Sequence, residues 1–282
     1  MHTRKLVTIC ALPLLAFAAT IPAPANSIIL RHDVKSDEYV ASSWPEAIID
    51  MPGEGHGVLI APEWIVTAAH VIFADYRGRS IMVGGAEHEI EAVVFHPGYS
   101  RPPSGIFTGD SERSQAFLRG NHDIALIKLK SPAKPAPLPI YRGSEETGQH
   151  VRFFGRGSTG VGLSGQIARS GGTMRQAENK VDHADGQWLF YDFDAGGQAL
   201  PFEGIQGDGD SGGPAIMSID GESTLAGLVS WDVYDGDIAD FQGGLYGMSG
   251  ALIRLSYYAE WIDEVMAMDG TDLSARHNKL GG

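Results

Sequence analysis

Three short stretches of this chain carry side chains whose types and surroundings suit acyl transfer. The first is Gly209-Asp210-Ser211-Gly212-Gly213-Pro214. A serine hydroxyl becomes a useful nucleophile when a tight turn presents it and nearby backbone N–H groups can receive an oxyanion. The flanking glycines let a substrate approach the backbone closely, and Asp210 offers a carboxylate that a cation could pair to fix the turn. The second stretch is Thr67-Ala68-Ala69-His70, directly after the apolar Trp64-Ile65-Val66. A histidine among small residues at a strand end has room to act as a general base if a partner orients it. The third stretch runs from Asn121 through His122 and Asp123 into Ile124-Ala125-Leu126-Ile127-Lys128-Leu129. An aspartate at the head of so apolar a strand can be buried against an imidazole N–H and stabilise its charged form. Taken singly, His70 reads as a packed core residue and Asp123 as a strand-opening turn residue. Strand alternation turns His122 away from Asp123.

Short β-like runs recur between glycine and proline punctuation and would position these groups. They are Val58 to Ile60, Trp64 to Val66, Ile81 to Val83, Glu91 to Phe95, Ile124 to Leu129, Val151 to Phe154 and Leu225 to Trp231. Many short strands with turn signals predict an all-β barrel or sandwich. One helix is predicted near the end, with Ser256 as its cap, Tyr258, Trp261, Ile262, Val265 and Met266 on one face, and Gly270 as its stop. Two stretches, 97–121 and 155–179, read as long surface loops, tolerated insertions without a role of their own.

The chain has 282 residues, 43% hydrophobic and 20% charged, which excludes the disordered and fibrous classes. Residues 1–27 read as a signal peptide: Arg4 and Lys5, an apolar run from Leu6 to Ile21, then the small residues Ala23, Ala25 and Ser27. Pro13 interrupts the run, which is short for a bilayer span, and no later segment is apolar enough to cross a membrane. The only cysteine, Cys10, falls inside this segment, so the exported chain would hold no disulfide and no thiol. Net charge is -14, becoming -16 once Arg4 and Lys5 leave without any acid, so a nucleic-acid partner is not expected. The expected product is a monomer, secreted or periplasmic and of bacterial source, with a single domain over 28–270 and a tail over 271–282.

The order His, Asp, Ser and the surrounding residues resemble the trypsin/chymotrypsin family. Gly55-His56-Gly57-Val58-Leu59-Ile60-Ala61-Pro62-Glu63 running into Trp64 to His70 resembles the strand pair before that family's catalytic histidine. Gly155-Arg156-Gly157 is similar to its Gly-aromatic-Gly turn, Gly227-Leu228-Val229-Ser230-Trp231 to the strand lining its specificity pocket, and Arg254 to Ile262 to the approach to its terminal helix. The resemblance implies a double six-stranded antiparallel β-barrel with a C-terminal α-helix, the site lying in the cleft between barrels. It implies His70, Asp123 and Ser211 as catalytic residues, the N–H groups of Gly209 and Ser211 as an oxyanion hole, and protein or peptide substrates. Ile205, Ser230, Trp231, Asp232 and Gly250 fall at substrate-binding positions. Ile28 and Asp210 fall at the activating pair, in which a newly freed N-terminus binds the acid before the serine.

The sequence departs from the family pattern at Ile205, which stands where Arg/Lys-specific members carry an acid, and at Asp232, which replaces a pocket-wall glycine. The expected preference is therefore for a small or apolar residue before the cleaved bond. Asp232, Asp235, Asp237 and Asp240 crowd one loop without the twelve-residue calcium spacing, so no metal or other cofactor is expected. His88-Glu89 lacks the second histidine of a zinc protease, Ala92 standing in its place. A serine esterase of another fold would show the order Ser-Asp-His and a G-x-S-x-G elbow. The remaining alternative is a catalytically silent member of the fold that acts as a binding module.

Overall fold

The structure is a computed structural model, and it describes residues 28–168 and 172–277; the predicted signal segment lies outside the described residues. The chain opens with β1 (Ile28–Leu30). It continues through β2 (Ile48–Asp50), β3 (His56–Ala61), β4 (Trp64–Ala68), β5 (Ser80–Val83) and β6 (Ala86–Phe95) to helix α1 (Glu112–Gly120) and β7 (Ile124–Leu129). The second half comprises β8 (His150–Gly155), β9 (Thr159–Val161), β10 (Gly165–Ala168), β11 (Arg175–Lys180), β12 (His183–Asp185), β13 (Trp188–Asp192), β14 (Gly204–Ile205), β15 (Pro214–Ile219), β16 (Glu222–Val233) and β17 (Ser249–Arg254). Helices α2 (Leu255–Met266) and α3 (Gly270–His277) close it.

The six strands of the first half form one antiparallel sheet in the order β2-β3-β4-β7-β6-β5, and its two end strands touch. Strand β7 lies between β4 and β6, which explains its almost unbroken apolar run: every residue but Lys128 is buried. Each such fully buried aliphatic side chain contributes about 1.5–3 kcal/mol. The second half curls a sheet ordered β11-β8-β15-β16-β17-β13-β12. The two curled sheets are the expected double barrel. The second exceeds six strands because the short β12 extends its edge, and a small extra sheet, β10-β9-β1-β14, pairs β1 in parallel with β9.

Several sequence expectations are corrected. Segment 97–121 holds helix α1, and segment 155–179 holds β9, β10 and most of β11. Helix α1 escaped notice because Phe117 and Leu118 are its only large apolar residues, too few for a periodic stripe. Its anchors are tertiary: the Arg119 guanidinium lies over the rings of Phe190 and Trp231, and the Arg119 carbonyl accepts from Trp188 Nε1 and Gln187 Nε2. Helix α2 begins one residue earlier than its supposed cap, and Ser256 instead donates its hydroxyl to Glu146. Residues 270–277, read as a stop and a tail, form α3, which packs on β6 and buries Leu273.

Candidate active site

His70 sits in a single 3-10 turn, Ala69–Val71, that immediately follows β4. Asp123 immediately precedes β7, the neighbour of β4, so the pairing of Ala68 with Ile124 brings the two residues side by side. Small residues at 68 and 69 allow this approach, and Ala69 N–H donates to the Asp123 carbonyl. The Asp123 carboxylate then takes up His70 twice: Oδ1 accepts from the backbone N–H at 2.9 Å, and Oδ2 lies 2.6 Å from Nδ1. A third donor is Ser230 Oγ, 2.6 Å from Oδ2.

Ser230 reaches that carboxylate because β16 carries a β-bulge there: Val229 pairs with Leu252 and Trp231 with Ala251, leaving Ser230 between registers. Bulges of this kind re-aim a side chain out of the regular alternation. The Asp123 side chain is 8% exposed and the His70 side chain 34% exposed, so the imidazole has one covered edge and one open edge. Burial works to lower the His70 pKa, but the Asp123 charge and hydrogen bond, assisted by Glu54, outweigh it and raise the pKa above its ordinary value.

Ser211 lies on the turn between β14 and β15. His56 N–H holds the Ser211 carbonyl at 2.7 Å, and Gly212 and Gly213 exchange hydrogen bonds with Val229. Gly209 has φ +92°, a conformation that a side chain would strain. Among the described residues, neither the Gly209 nor the Ser211 N–H is engaged by a hydrogen bond within the chain. Asp210 points inward, 2% exposed, and accepts from Gly157 N–H at 2.7 Å, Gly207 N–H at 2.9 Å and the Ile28 backbone N–H. Burial pushes its carboxyl pKa up against those N–H groups and the pull of His56. The Gly-Arg-Gly turn exists for this carboxylate, since a Cβ at Gly155 would stand 2.1 Å from Asp210 Oδ1. Ile28, 1% exposed, has φ 62°, the only positive φ at a β-branched residue among those described.

A cavity of about 310 Å³ opens beside Ser211, bounded by Ser230, Trp231 and Asp232. Ile205 does not line it; this side chain is fully buried and pairs with Ile29 across β1 and β14. Gln206, which the sequence did not single out, lines the cavity instead. Tyr191 donates its hydroxyl to Gln206 Oε1, while Gln206 Nε2 binds the Trp231 carbonyl and Asp232 Oδ1 at 2.6 Å. Gly250 faces Tyr191 and Gln206, with no room for a Cβ. Burial, then the nearby Asp208 charge, push the Asp232 carboxyl pKa up to about 7. Asp237, from the same acidic loop, caps a short turn by accepting from Ala239 N–H. Gln206 directly follows Ile205, the last residue of β14, and neither it nor Tyr191 carried a signal of its own in the sequence.

A family model described as Trypsin matches residues 34–262. Among solved structures, the chain is similar to mouse neuropsin, described as a serine protease expressed in the limbic system of the brain. The TM-score is 0.58 at 19% identity, covering 80% of this chain and 98% of that one.

Proposed function

The chain belongs to the trypsin family of serine peptidases, and from that premise we propose that it is an exported serine endopeptidase using Ser211, His70 and Asp123. The observation carrying this reading is the Asp123 carboxylate, which holds His70 Nδ1 at 2.6 Å. In this mechanism Ser211 Oγ attacks the scissile carbonyl while His70 takes its proton, and Asp123 stabilises the imidazolium. The unengaged N–H groups of Gly209 and Ser211 receive the oxyanion, each contributing a few kcal/mol in the transition state. His70 returns the proton to the leaving amine, and water then repeats the sequence on the acyl-enzyme.

Export to the periplasm or medium follows from the signal-like residues 1–27, with cleavage after Ser27 freeing Ile28. What supports activation by that cut is the buried Asp210 carboxylate, which already accepts the Ile28 N–H and, among the described residues, has no cation in its hydrogen-bond set. A terminal ammonium at Ile28 supplies one. The residue before the cleaved bond is small or apolar rather than arginine or lysine. Support comes from Phe107, Leu118, Trp231 and Phe241, apolar side chains that line the cavity.

The test is labelling of the exported protein with a fluorophosphonate probe, in parallel with Ser211→Ala, followed by mapping of the modified peptide. Labelling at Ser211 that vanishes in the variant upholds the peptidase. No labelling, in protein whose N-terminus is Ile28, favours a catalytically silent binding module.

A further inference from the structure

The small sheet β10-β9-β1-β14 brackets the turn that precedes Ser211. At one end of the sheet β14 runs directly into Gln206 and Gly207, and at the other end β10 grips Asp208 through the side chain of Gln166. Gln166 Oε1 accepts from the Asp208 backbone N–H at 2.8 Å, and Gln166 Nε2 donates to Asp208 Oδ2 at 2.8 Å. A backbone N–H can only donate and a carboxylate only accept, so the two partners fix which way the amide faces.

Gln166 is itself held at its backbone. Its N–H donates to the Gly243 carbonyl at 2.7 Å, and its carbonyl, with that of Ser164, accepts from Gln242 Nε2. The loop that bears Gln242 and Gly243 is clamped in turn by the insertion 97–121. Ser111 N–H donates to the Gly236 carbonyl, Gly236 N–H to Ser111 Oγ, and Ile238 N–H to the Gly109 carbonyl.

These contacts converge on one peptide plane. The Asp208–Gly209 peptide is planar and trans, so its carbonyl and its N–H point in opposite directions. Ser158 N–H donates to the Asp208 carbonyl at 2.7 Å, which turns the Gly209 N–H the other way, where no group of the chain engages it among the described residues. Glycine at φ +92° resists a flip of this plane less than any residue with a side chain would, so its neighbours must hold it. The hydrogen bond of the turn itself, from Asp210 N–H to the Gly207 carbonyl at 3.0 Å, spans the plane without using either of its polar groups. Gln166 secures the residue before it, at the backbone and at the side chain together.

We propose that Gln166 is a positioning residue for peptide-bond hydrolysis, locking the Asp208–Gly209 peptide so that the Gly209 N–H faces the scissile carbonyl of the substrate. The inference deepens the reading of Ser211 as the nucleophile and rests on it. It gives the insertion 155–179 a task in the site that its distance in sequence from Ser211 conceals.

Gln166→Met keeps the length of the side chain and removes both hydrogen bonds. On a peptide with alanine before the cleaved bond it should lower kcat about tenfold with little change in KM, short of the roughly hundredfold loss from deleting an oxyanion donor outright. A peptide aldehyde adds Ser211 Oγ at its carbonyl carbon, the proton passing to His70 and the electron pair to the oxygen. That adduct should weaken about tenfold in the variant, while the matching peptide alcohol, which forms none, binds as before. Gln166→Glu sets two carboxylates together and should lose activity likewise. Adding Asp208→Asn supplies a donor for the new carboxylate and should recover most of the loss, which a merely structural role would not. Hydrogen exchange over residues 206–212 should quicken in Gln166→Met, in the Ser211→Ala background as well. Undiminished kcat in Gln166→Met, equal weakening of aldehyde and alcohol, or no recovery in the double variant overturns the proposal even where Ser211 labels fully with the fluorophosphonate. Unchanged exchange overturns the lock itself. A wild type that never labels removes the nucleophile reading and overturns the role in hydrolysis, with the exchange difference showing which of the two has failed.

Discussion

Ser230 Oγ and His70 Nδ1 meet at the same atom, Asp123 Oδ2, each at 2.6 Å. The carboxylate therefore has its orientation fixed from two barrels at once, since Asp123 precedes β7 of the first and Ser230 belongs to β16 of the second. Asp123→Asn should lower kcat by roughly four orders of magnitude, the loss expected when the base is held in the wrong tautomer. The same variant should move the acid limb of the pH–rate profile downward. In the wild type the base works once its imidazole is neutral, and the Asp123 charge raises the pKa at which that happens; without the charge, neutrality arrives at lower pH. An acid limb that stays in place would mean that Asp123 does not govern His70.

The buried Asp210 carboxylate predicts a defined mature N-terminus. N-terminal sequencing of the exported protein should read Ile28, and retaining Ser27 should reduce turnover by about tenfold or more, in line with losing one charge-assisted hydrogen bond of ~1.5–3 kcal/mol. Asp210→Asn should reproduce that loss. Full activity with Ser27 still attached would exclude this route to activation.

Asp232 predicts a selectivity that changes with pH. With its pKa at about 7, its carboxyl is neutral at pH 6 and charged at pH 8. Cleavage after lysine relative to alanine should therefore rise across that interval, though alanine remains preferred at the acid end. Asp232→Asn should flatten the ratio. Behind burial, the Asp208 and Asp210 carboxylates both push the Asp232 pKa up.

On the far side of Asp123, His96 and His122 stack at 4.3 Å, ringed by Tyr258 and Trp261. Burial, then the positive His122 neighbour, push the His96 pKa down to about 4. Its folded value lies below the ordinary histidine value of 6.5, so the unfolded chain binds the proton first as pH falls. Stability is complete above about pH 6.5 and erodes toward pH 4. His96→Phe should reduce the drop in Tm between pH 7 and pH 5 by about 2–4 °C, the shift that ~1 kcal/mol produces in a domain of this size. An unchanged drop would assign acid sensitivity to other groups.

The strands leading to His70 and Asp123 were readable because each is apolar over three or more residues and is bounded by turn residues; Ile124 to Leu129 is the clearest case. Asp123 was readable for the same reason, since it stands at the edge of such a run, whereas Ser211 was readable from its glycine-rich turn. What sequence reasoning missed depends on tertiary contact. Helix α1 has too thin an apolar face to announce itself and relies on Arg119 stacking across the cleft. The cavity base was assigned to Ile205 by position, yet the pairing of β14 with β1 buries Ile205, and Gln206 lines the cavity in its place. The bulge at Ser230 leaves no mark in composition at all.

The clamp between Ser111, Gly109 and the 236–238 backbone joins the first barrel to the second without a covalent bond. A disulfide tying two such points would stabilise chiefly by restraining the unfolded chain, and would fail under thiol reductants. Here the tie exists only in the folded molecule, and the sole cysteine, Cys10, lies ahead of Ile28. The folded domain is therefore blind to redox potential: it needs no oxidase to mature, and dithiothreitol should leave its melting curve where it was.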